Sequence, residues 1–243
     1  MPIQLYPKNL SSSEADSIQS PPSTRQIRKN ALQAYWDRYW KLGPPPSLVK
    51  EQRRNWLFSQ LETLDLFGKG LVVGCEDGRW LDRTCFAKLF LDACDVSRLA
   101  LEKAQNRNTR PNNIRFFHEC FPFTKLASDL YDAVFLIDLV ADIEPSLRRL
   151  GISELARICK KTGYIIVSSA LDRKSPDAIS HLLALLQTEL EVVDIQLRYD
   201  QVDVILEKMA KKWPLVQRLM NSFFWQSFGP GYAYIVCRVR PLK

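Results

Sequence analysis

The feature that most limits how this chain can fold is an alternation of short apolar runs with segments of helical periodicity, which begins at Gly70. Such alternation predicts an α/β domain with a mostly parallel sheet and helices on both faces. The predicted strands are residues 71–74, 89–95, 114–117, 131–138, 163–170, 190–198 and 232–240. The predicted helices of this region are residues 79–88, 97–108, 146–160, 175–190 and 200–220.

The residues before this alternation predict a helical extension. One helix is expected over about 25–42, because Gly43 and three prolines follow it, and a second over about 47–66, with Ser47 as its N-cap. The last strand alternates apolar residues with arginines, which favours an antiparallel edge. The predicted organisation is a disordered arm at 1–24, a helical cap at 25–69, and an α/β domain at 70–243 with a helical insertion around 200–228.

Composition excludes several classes of protein. The longest apolar run, Ala133 to Ala141, is too short to span a bilayer and contains Asp138. The N-terminus lacks the apolar stretch of a secretory signal, and the six cysteines have no spacing typical of a disulfide framework or a zinc site. We therefore expect a cytoplasmic protein without a membrane span or a metal site.

The net charge of +7 is unevenly distributed. Residues 1–69 contain ten basic and six acidic side chains, and residues 198–243 contain eight and three, so both ends are basic. Basic ends leave nucleic acid open as a partner. An ordinary solvated surface is favoured, because no run of five basic residues occurs. The oligomeric state is not predicted.

The segment GLVVGCEDGRWL, residues 70–81, has the pattern of a strand, a tight turn and a helix. Gly74 and Gly78 bracket the turn, so its backbone N–H groups and the following helix N-terminus are expected to point at an anionic group of a ligand. Seventeen residues after Gly78, Asp95 ends the second predicted strand. A carboxylate at this place accepts hydrogen bonds from ribose hydroxyls in nucleoside-binding folds.

Five segments in this order resemble the Rossmann-like, class I S-adenosylmethionine-dependent methyltransferases over residues 70–170. They are GLVVGCEDGRW, DACDVSRLALEKAQ, IRFFHECFPF, YDAVFLIDLVADIEP and RICKKTGYIIVSS. The resemblance implies a doubly wound, mostly parallel sheet of seven strands with an antiparallel last strand. It also implies S-adenosyl-L-methionine as the cofactor.

The resemblance implies a role for each motif. By this resemblance, the first motif surrounds the methionine end of the cofactor, and Asp95 and Val96 contact its ribose and adenine. Glu119 or Cys120 contacts the adenine amino group. Asp138 and Leu139 lie beside the sulfonium. The cofactor-binding residues that follow are Gly74, Cys75, Glu76, Gly78, Arg79, Asp95, Val96, Glu119, Cys120, Asp138 and Leu139.

The first motif departs from the family pattern at two positions. Val72 stands where the family has an acidic residue, and Glu76 stands at the middle glycine of the loop, where a side chain penalises positive φ by about 1 kcal/mol. Glu76 or Asp77 is a candidate to reach the methionine ammonium, while Arg79 pairs with its carboxylate. The alternative is a decayed site in a binding or scaffold protein.

An aromatic cluster lies in the first predicted helix. Tyr35, Trp36 and Trp40, with Tyr39 between them, match a helix that lines the acceptor pocket in the family, although packing on the core explains such residues equally well. The predicted function is methyl transfer to a small aromatic or apolar acceptor; an RNA or protein acceptor is an alternative. A dehydrogenase is disfavoured because the loop lacks GxGxxG spacing. The sequence identifies no catalytic residue.

Overall fold

The computed structural model describes residues 24–43, 48–172, 175, 177–198 and 231–240. Its helices are α1 (Thr24–Leu42), α2 (Leu48–Leu61), α3 (Arg98–Arg107), α4 (Arg148–Ile158) and α5 (Ala178–Leu186). Its strands are β1 (Gly68–Val73), β2 (Leu89–Asp95), β3 (Ile114–His118), β4 (Tyr131–Ile137), β5 (Cys159–Ala170), β6 (Leu190–Arg198) and β7 (Tyr232–Val239).

The seven strands form one sheet in the order β3-β2-β1-β4-β5-β7-β6. Strands β3, β2, β1, β4 and β5 are parallel, whereas β7 is antiparallel to both of its neighbours. The predicted fold class is therefore confirmed, but the predicted edge position of the last strand is wrong, because β7 lies between β5 and β6 and β6 is at the edge. The chain runs outward from β1 to β3 and then returns to β4 beside β1, which creates a crevice at the carboxyl ends of β1 and β4. Ligands bind at such a reversal in open α/β sheets.

Helices bury both faces of the central strands, and this explains why these strands are continuous apolar runs. Leu57 and Leu61 of α2 belong to the core on one face of the sheet. Leu155 and Ile158 of α4 belong to the core on the other face. Because α2 is part of the core, the N-terminal helices are built into the α/β unit.

The predicted helix at residues 79–88 is wrong. This segment consists of turns and one short 3₁₀ turn, Thr84–Phe86. Trp80 and Phe86 both pack on Phe58 of α2, with ring centroids 5.6 and 6.0 Å apart. The segment has a helix-like apolar pattern because these rings are buried. The helix that packs on the sheet in this region is α2. No helix N-terminus follows the glycine loop, so that part of the anion-binding argument fails.

Several other predictions lie partly or wholly outside the described residues. These are the arm at 1–24 except for its last residue, the Ser47 cap, and the helix and insertion between 200 and 228. The second predicted helix ends at Leu61, five residues earlier than expected. None of the described helices is long and apolar enough to cross a bilayer. All six cysteines are buried, and no disulfide bond joins any two of them.

Two glycines with positive φ provide a test of packing between the glycine loop and α3. Gly78 has φ +70°, and a Cβ on it would lie 2.9 Å from the Cβ of Ala104, whereas Gly43 has φ +78° and a Cβ on it would have no atom of the described residues within 4 Å. Gly43→Ala should lower the free energy of unfolding by about 1 kcal/mol, the cost of the left-handed backbone. Gly78→Ala adds a clash worth about 1–3 kcal/mol. Urea denaturation should show this difference; equal losses would contradict the packing described.

Candidate functional site

A cavity of about 600 Å³ opens at the carboxyl ends of β1, β2 and β4, beneath α1; we call it the central pocket. Its volume is within the usual range for a small-molecule site. The predicted site residues that line it are Gly74, Glu76, Asp95, Val96, Glu119, Cys120, Asp138, Leu139, Tyr35, Trp36 and Trp40. The topology thus brings together residues from five separate segments of the sequence.

Three of the predicted cofactor residues do not line the pocket. Cys75 is fully buried beneath the loop, and Gly78 packs against α3. Arg79 donates hydrogen bonds to both carboxylate oxygens of Asp77, at 2.9 and 2.8 Å, and Arg107 also pairs with that carboxylate. Asp77 and Arg79 therefore pair with each other and are not part of the pocket lining, and their role in binding a ligand stays a prediction.

Asp95 ends β2 with its carboxylate against the pocket. One oxygen accepts a hydrogen bond from the N–H of Ser97 at 2.9 Å, and the other accepts one from the N–H of Glu76 at 3.0 Å. Burial raises the pKa of Asp95 to about 7, although these N–H groups favour the ionised form. Each oxygen has further acceptor capacity. Asp95 is therefore oriented by the loop and by the start of α3 to accept donors from a ligand.

Glu76 adopts the positive φ expected at a loop glycine, +55°. Its carboxylate lies 2.7 Å from Lys50 Nζ and 2.8 Å from an Arg54 guanidinium nitrogen. Burial raises the pKa of Glu76, but Arg54 and Lys50 outweigh burial and hold it below its ordinary value. Both cations belong to α2. Val72, by contrast, is buried in β1 between Ala93 and Phe135 and supplies nothing to the pocket.

Arg54 connects Glu76 to Asp138 at the floor of the pocket. Arg54 is only 8% exposed, and its Nε lies 3.8 Å from a carboxylate oxygen of Asp138. Asp138 also has positive φ, +58°, and its N–H donates to the carbonyl and hydroxyl of Ser168. Its buried carboxylate oxygens accept no hydrogen bond of good geometry among the described residues, although the Tyr232 phenol is close enough to interact with them. Strained backbone and unsatisfied acceptors are concentrated at functional sites.

Helix α1 covers the pocket and is held at two places. Asp37 accepts hydrogen bonds from the Ser97 hydroxyl at 2.5 Å and from the Leu99 N–H at 3.2 Å. At the other side, Arg28 lies 3.7 Å from Glu144, in the segment after β4. The aromatic residues of α1 form an edge-to-face series with centroids 5.3–5.6 Å apart. Since Trp40 is also 3% exposed, the cluster both packs on the core and lines the pocket.

Sequence reasoning missed Lys50, Arg54 and Asp142. Lys50 and Asp142 line the pocket, and Arg54 lies just behind its wall. Burial raises the pKa of Asp142 to about 6; Lys50 lowers it, and Asp138 and Glu76 raise it. No motif marks the α2 cations, and their role follows from packing. Asp142 could have been identified from the sequence, because it lies in the fourth motif, four residues after Asp138.

The lining is acidic. Its basic side chains are Arg28, Lys29 and Lys50, and its acidic side chains are Glu76, Asp95, Glu119, Asp138, Asp142 and Glu144. Such an excess favours a ligand with positive charge. His118, whose ring Nε2 lies 2.9 Å from the Val96 carbonyl oxygen, is engaged with the backbone beside the pocket. Among the described residues, no group of His, Cys, Asp and Glu has the arrangement of a metal site.

The buried ion pair provides a test of the pocket floor. Arg54→Met leaves two neighbouring carboxylates without their buried cation, so we expect a loss of about 3 kcal/mol in the free energy of unfolding. The control, Lys88→Met, breaks an exposed pair with Asp65 and should cost less than about 1 kcal/mol. Chemical denaturation at neutral pH measures both. A small loss for Arg54→Met would contradict a structural role for this guanidinium.

Comparison with known proteins supports the architecture. No protein-family model matches the sequence, and no curated protein matches it. Among solved structures, the [4+2]-cyclase SpnF is 16% identical, with a TM-score of 0.65 over 88% of this chain and 97% of that one. The N-methyltransferase NodS from Bradyrhizobium japonicum WM9, solved with S-adenosyl-L-homocysteine, is 15% identical, with a TM-score of 0.57 over 84% and 92%.

A third similar structure is that of a protein named for its dependence on S-adenosylmethionine. An S-adenosylmethionine-dependent methyltransferase from Mesorhizobium loti is 12% identical, with a TM-score of 0.55 over 74% of this chain and 96% of that one. Identities this low establish the fold and leave the reaction open. The strand order, the antiparallel β7 and these likenesses agree: the chain has the Rossmann-like fold of the class I S-adenosylmethionine-dependent methyltransferases.

Proposed function

We propose that this protein is an S-adenosylmethionine-dependent methyltransferase that binds its cofactor in the central pocket. The observation that carries the proposal is the Asp95 carboxylate, held at the end of β2 by the Glu76 and Ser97 N–H groups and presented to a crevice at the strand-order reversal. Two ribose hydroxyls match its free acceptor capacity. The likeness to methyltransferases of known structure supports the same ligand.

The remaining lining fits the other parts of this cofactor. Val96, Glu119 and Cys120 border the side next to Asp95, where the adenine ring would lie. Gly74, Asp138 and Leu139 border the ends of β1 and β4, where the sulfonium would lie. A sulfonium is a cation, and the acidic lining would stabilise it. These assignments agree with the roles implied by the family resemblance.

Glu76 and Lys50 are suited to the methionine end of the cofactor. They form an ion pair at the pocket wall, with the Lys50 side chain 41% exposed. An amino-acid zwitterion would place its ammonium near Glu76 and its carboxylate near Lys50, each as a charge-assisted contact. In this proposal, Lys50 takes the role that sequence reasoning gave to Arg79. In the same proposal, the Glu76 carboxylate replaces the acidic residue that the family has at the position of Val72.

Bound in this pocket, the cofactor supplies an electrophilic methyl group on sulfur. The protein contributes orientation and exclusion of water, and positioning alone accounts for several kcal/mol of barrier lowering in such reactions. Arg28 and Asp37 hold α1 over the pocket. Asp138 lies at the boundary between the cofactor side and the side covered by α1, where the methyl group would be exchanged.

The acceptor side of the pocket, as we define it, consists of Tyr35, Trp36 and Tyr39 with the segment from Ala141 to Glu144. Its enclosure beneath α1 favours a small molecule over RNA or a protein surface. The likeness to a cyclase shows that this fold accommodates other reactions. The strained Glu76 favours a second candidate, a non-catalytic binding protein, and the binding tests below distinguish the two.

Calorimetry with S-adenosylmethionine and S-adenosylhomocysteine tests the cofactor. We expect saturable binding of both ligands, followed by methyl transfer once an acceptor is supplied. No heat at millimolar ligand would overturn the proposal, whereas binding without transfer to any acceptor would favour the non-catalytic alternative.

The role of Asp95 has a separate test with nucleosides. Adenosine should bind about tenfold more tightly than 2′,3′-dideoxyadenosine. A tenfold difference corresponds to roughly 1.4 kcal/mol, which is typical of hydrogen bonds to a charged group. Asp95→Asn should remove most of this preference, and Asp82→Asn, at an exposed position, should retain it. Equal affinity of the wild-type protein for the two nucleosides would show that Asp95 does not meet the ribose.

The raised pKa of Asp95 predicts a pH dependence of this binding. Ribose hydroxyls donate to the ionised carboxylate, and Asp95 loses its proton as the pH rises through about 7. Adenosine affinity should therefore increase between about pH 6 and 8 and show no such increase in Asp95→Asn. Calorimetry across this range in the wild-type protein and in Asp82→Asn provides the comparison.

A further inference from the structure

Asp142 is not used by the cofactor site described above. It follows β4 in a short 3₁₀ turn, Val140–Asp142, and its carboxylate lines the acceptor side of the central pocket. Asp138, four residues earlier, lines the same pocket, and its carboxylate lies 3.8 Å from the Arg54 guanidinium without a hydrogen bond of good geometry among the described residues. The two carboxylates are close enough for Asp138 to raise the pKa of Asp142. Arg54 and Lys50 offset part of this negative charge, and a cationic ligand would offset more of it.

Aromatic rings of α1 form another part of the lining. Tyr35, Trp36 and Tyr39 line the pocket and contact one another edge to face. Burial raises the pKa of Tyr39, and the charges of Glu76 and Asp142 raise it further, which indicates that its phenol lies near both carboxylates. Aromatic faces combined with a carboxylate form a binding site for an organic cation.

We propose that the methyl acceptor is a small amine, bound as its ammonium between the α1 rings and Asp142, and that Asp142 removes its proton before methyl transfer. This inference rests on the proposed function and adds the substrate class and a catalytic base. An amine matches the acidic lining, whereas a carboxylate acceptor would be repelled by Asp138 and Asp142.

Each proton and electron pair has a destination in this reaction. The ammonium transfers one proton to the Asp142 carboxylate, which frees the nitrogen lone pair. The nitrogen then forms the new C–N bond to the methyl carbon, while the S–CH₃ bond breaks and its electron pair stays on sulfur. Asp142 afterwards releases the proton to solvent. The positive sulfonium nearby assists the first step, because a like charge lowers the pKa of an ammonium.

The charged groups around Asp142 come from several elements. Lys50 of α2 stabilises its ionised form, whereas Asp138 after β4 and Glu76 after β1 destabilise it. Tyr39 of α1 lies on the aromatic side, and the Arg28–Glu144 pair closes the rim. Because burial raises the pKa of Asp142 to about 6, the carboxylate is ionised at neutral pH and becomes neutral at mildly acidic pH.

The experiment measures binding of matched probes to the full chain saturated with S-adenosylhomocysteine. Phenethylamine, 2-phenylethanol and phenylacetate share one ring and differ in the polar group. At about pH 7.5 we expect the amine to bind at least tenfold more tightly than the alcohol, and phenylacetate to bind most weakly. In Asp142→Asn this preference should fall to within about threefold, whereas Asp82→Asn should keep it.

The pH dependence provides a readout that a purely structural role would not change. Phenethylamine affinity should rise between about pH 5 and 7 with a midpoint near 6, because the ionised carboxylate binds the cation. The rise should be absent in Asp142→Asn. Far-ultraviolet circular dichroism and thermal unfolding establish that the variant is folded. Asp142→Glu, which keeps the charge, should restore part of the amine preference.

The possible outcomes separate this inference from the proposed function. If S-adenosylhomocysteine binds and the amine binds no more tightly than the alcohol, or neither probe binds, the amine assignment is overturned and the cofactor assignment stands. If S-adenosylhomocysteine does not bind, the proposed function is overturned, and the probes are compared on the unloaded chain. An amine preference that persists in Asp142→Asn would contradict the role of Asp142.

Discussion

The buried guanidinium of Arg54 ties the N-terminal helices to the ligand-binding edge of the sheet. It lies 2.8 Å from Glu76 and 3.8 Å from Asp138, so one side chain of α2 reaches the loops after β1 and β4. A buried cation requires such partners, and the two carboxylates would repel each other without it. The position of α2, the shape of the glycine loop and the floor of the pocket therefore depend on one electrostatic arrangement.

This arrangement accounts for a glutamate at a position suited to glycine. Positive φ at Glu76 is unfavourable, but the Glu76 N–H orients Asp95 and the Glu76 carboxylate forms ion pairs with Lys50 and Arg54. The departure from the family motif is thus compensated by residues far away in the sequence. Loss of ligand binding would not by itself place two cations at this loop. The arrangement therefore favours a site that has changed its contacts and still binds a ligand.

The sequence predicted the parts of the structure that are determined locally or by burial. All seven strands were predicted. The signal was clearest for β1, β4 and β5, because burial on both faces of the sheet makes them runs of apolar residues. The helix at 79–88 was wrong, since the burial of Trp80 and Phe86 reflects long-range contact with Phe58. Most of the residues predicted from motif positions line the central pocket, but the ion pair between Asp77 and Arg79 was not predicted. An ion pair between neighbours depends on backbone geometry that no spacing reveals.

The N-terminal helices also explain how a common fold acquires a particular site. Within the central pocket, Gly74, Asp95 and Val96 come from the parallel strands and the loops after them, whereas α1 and α2 add aromatic rings and Lys50. Asp37 fixes α1 to the start of α3 and Arg28 fixes it to the segment after β4, so aromatic rings and carboxylates line the same pocket. Discrimination between acceptors would therefore reside in the extension, while the sheet presents the cofactor.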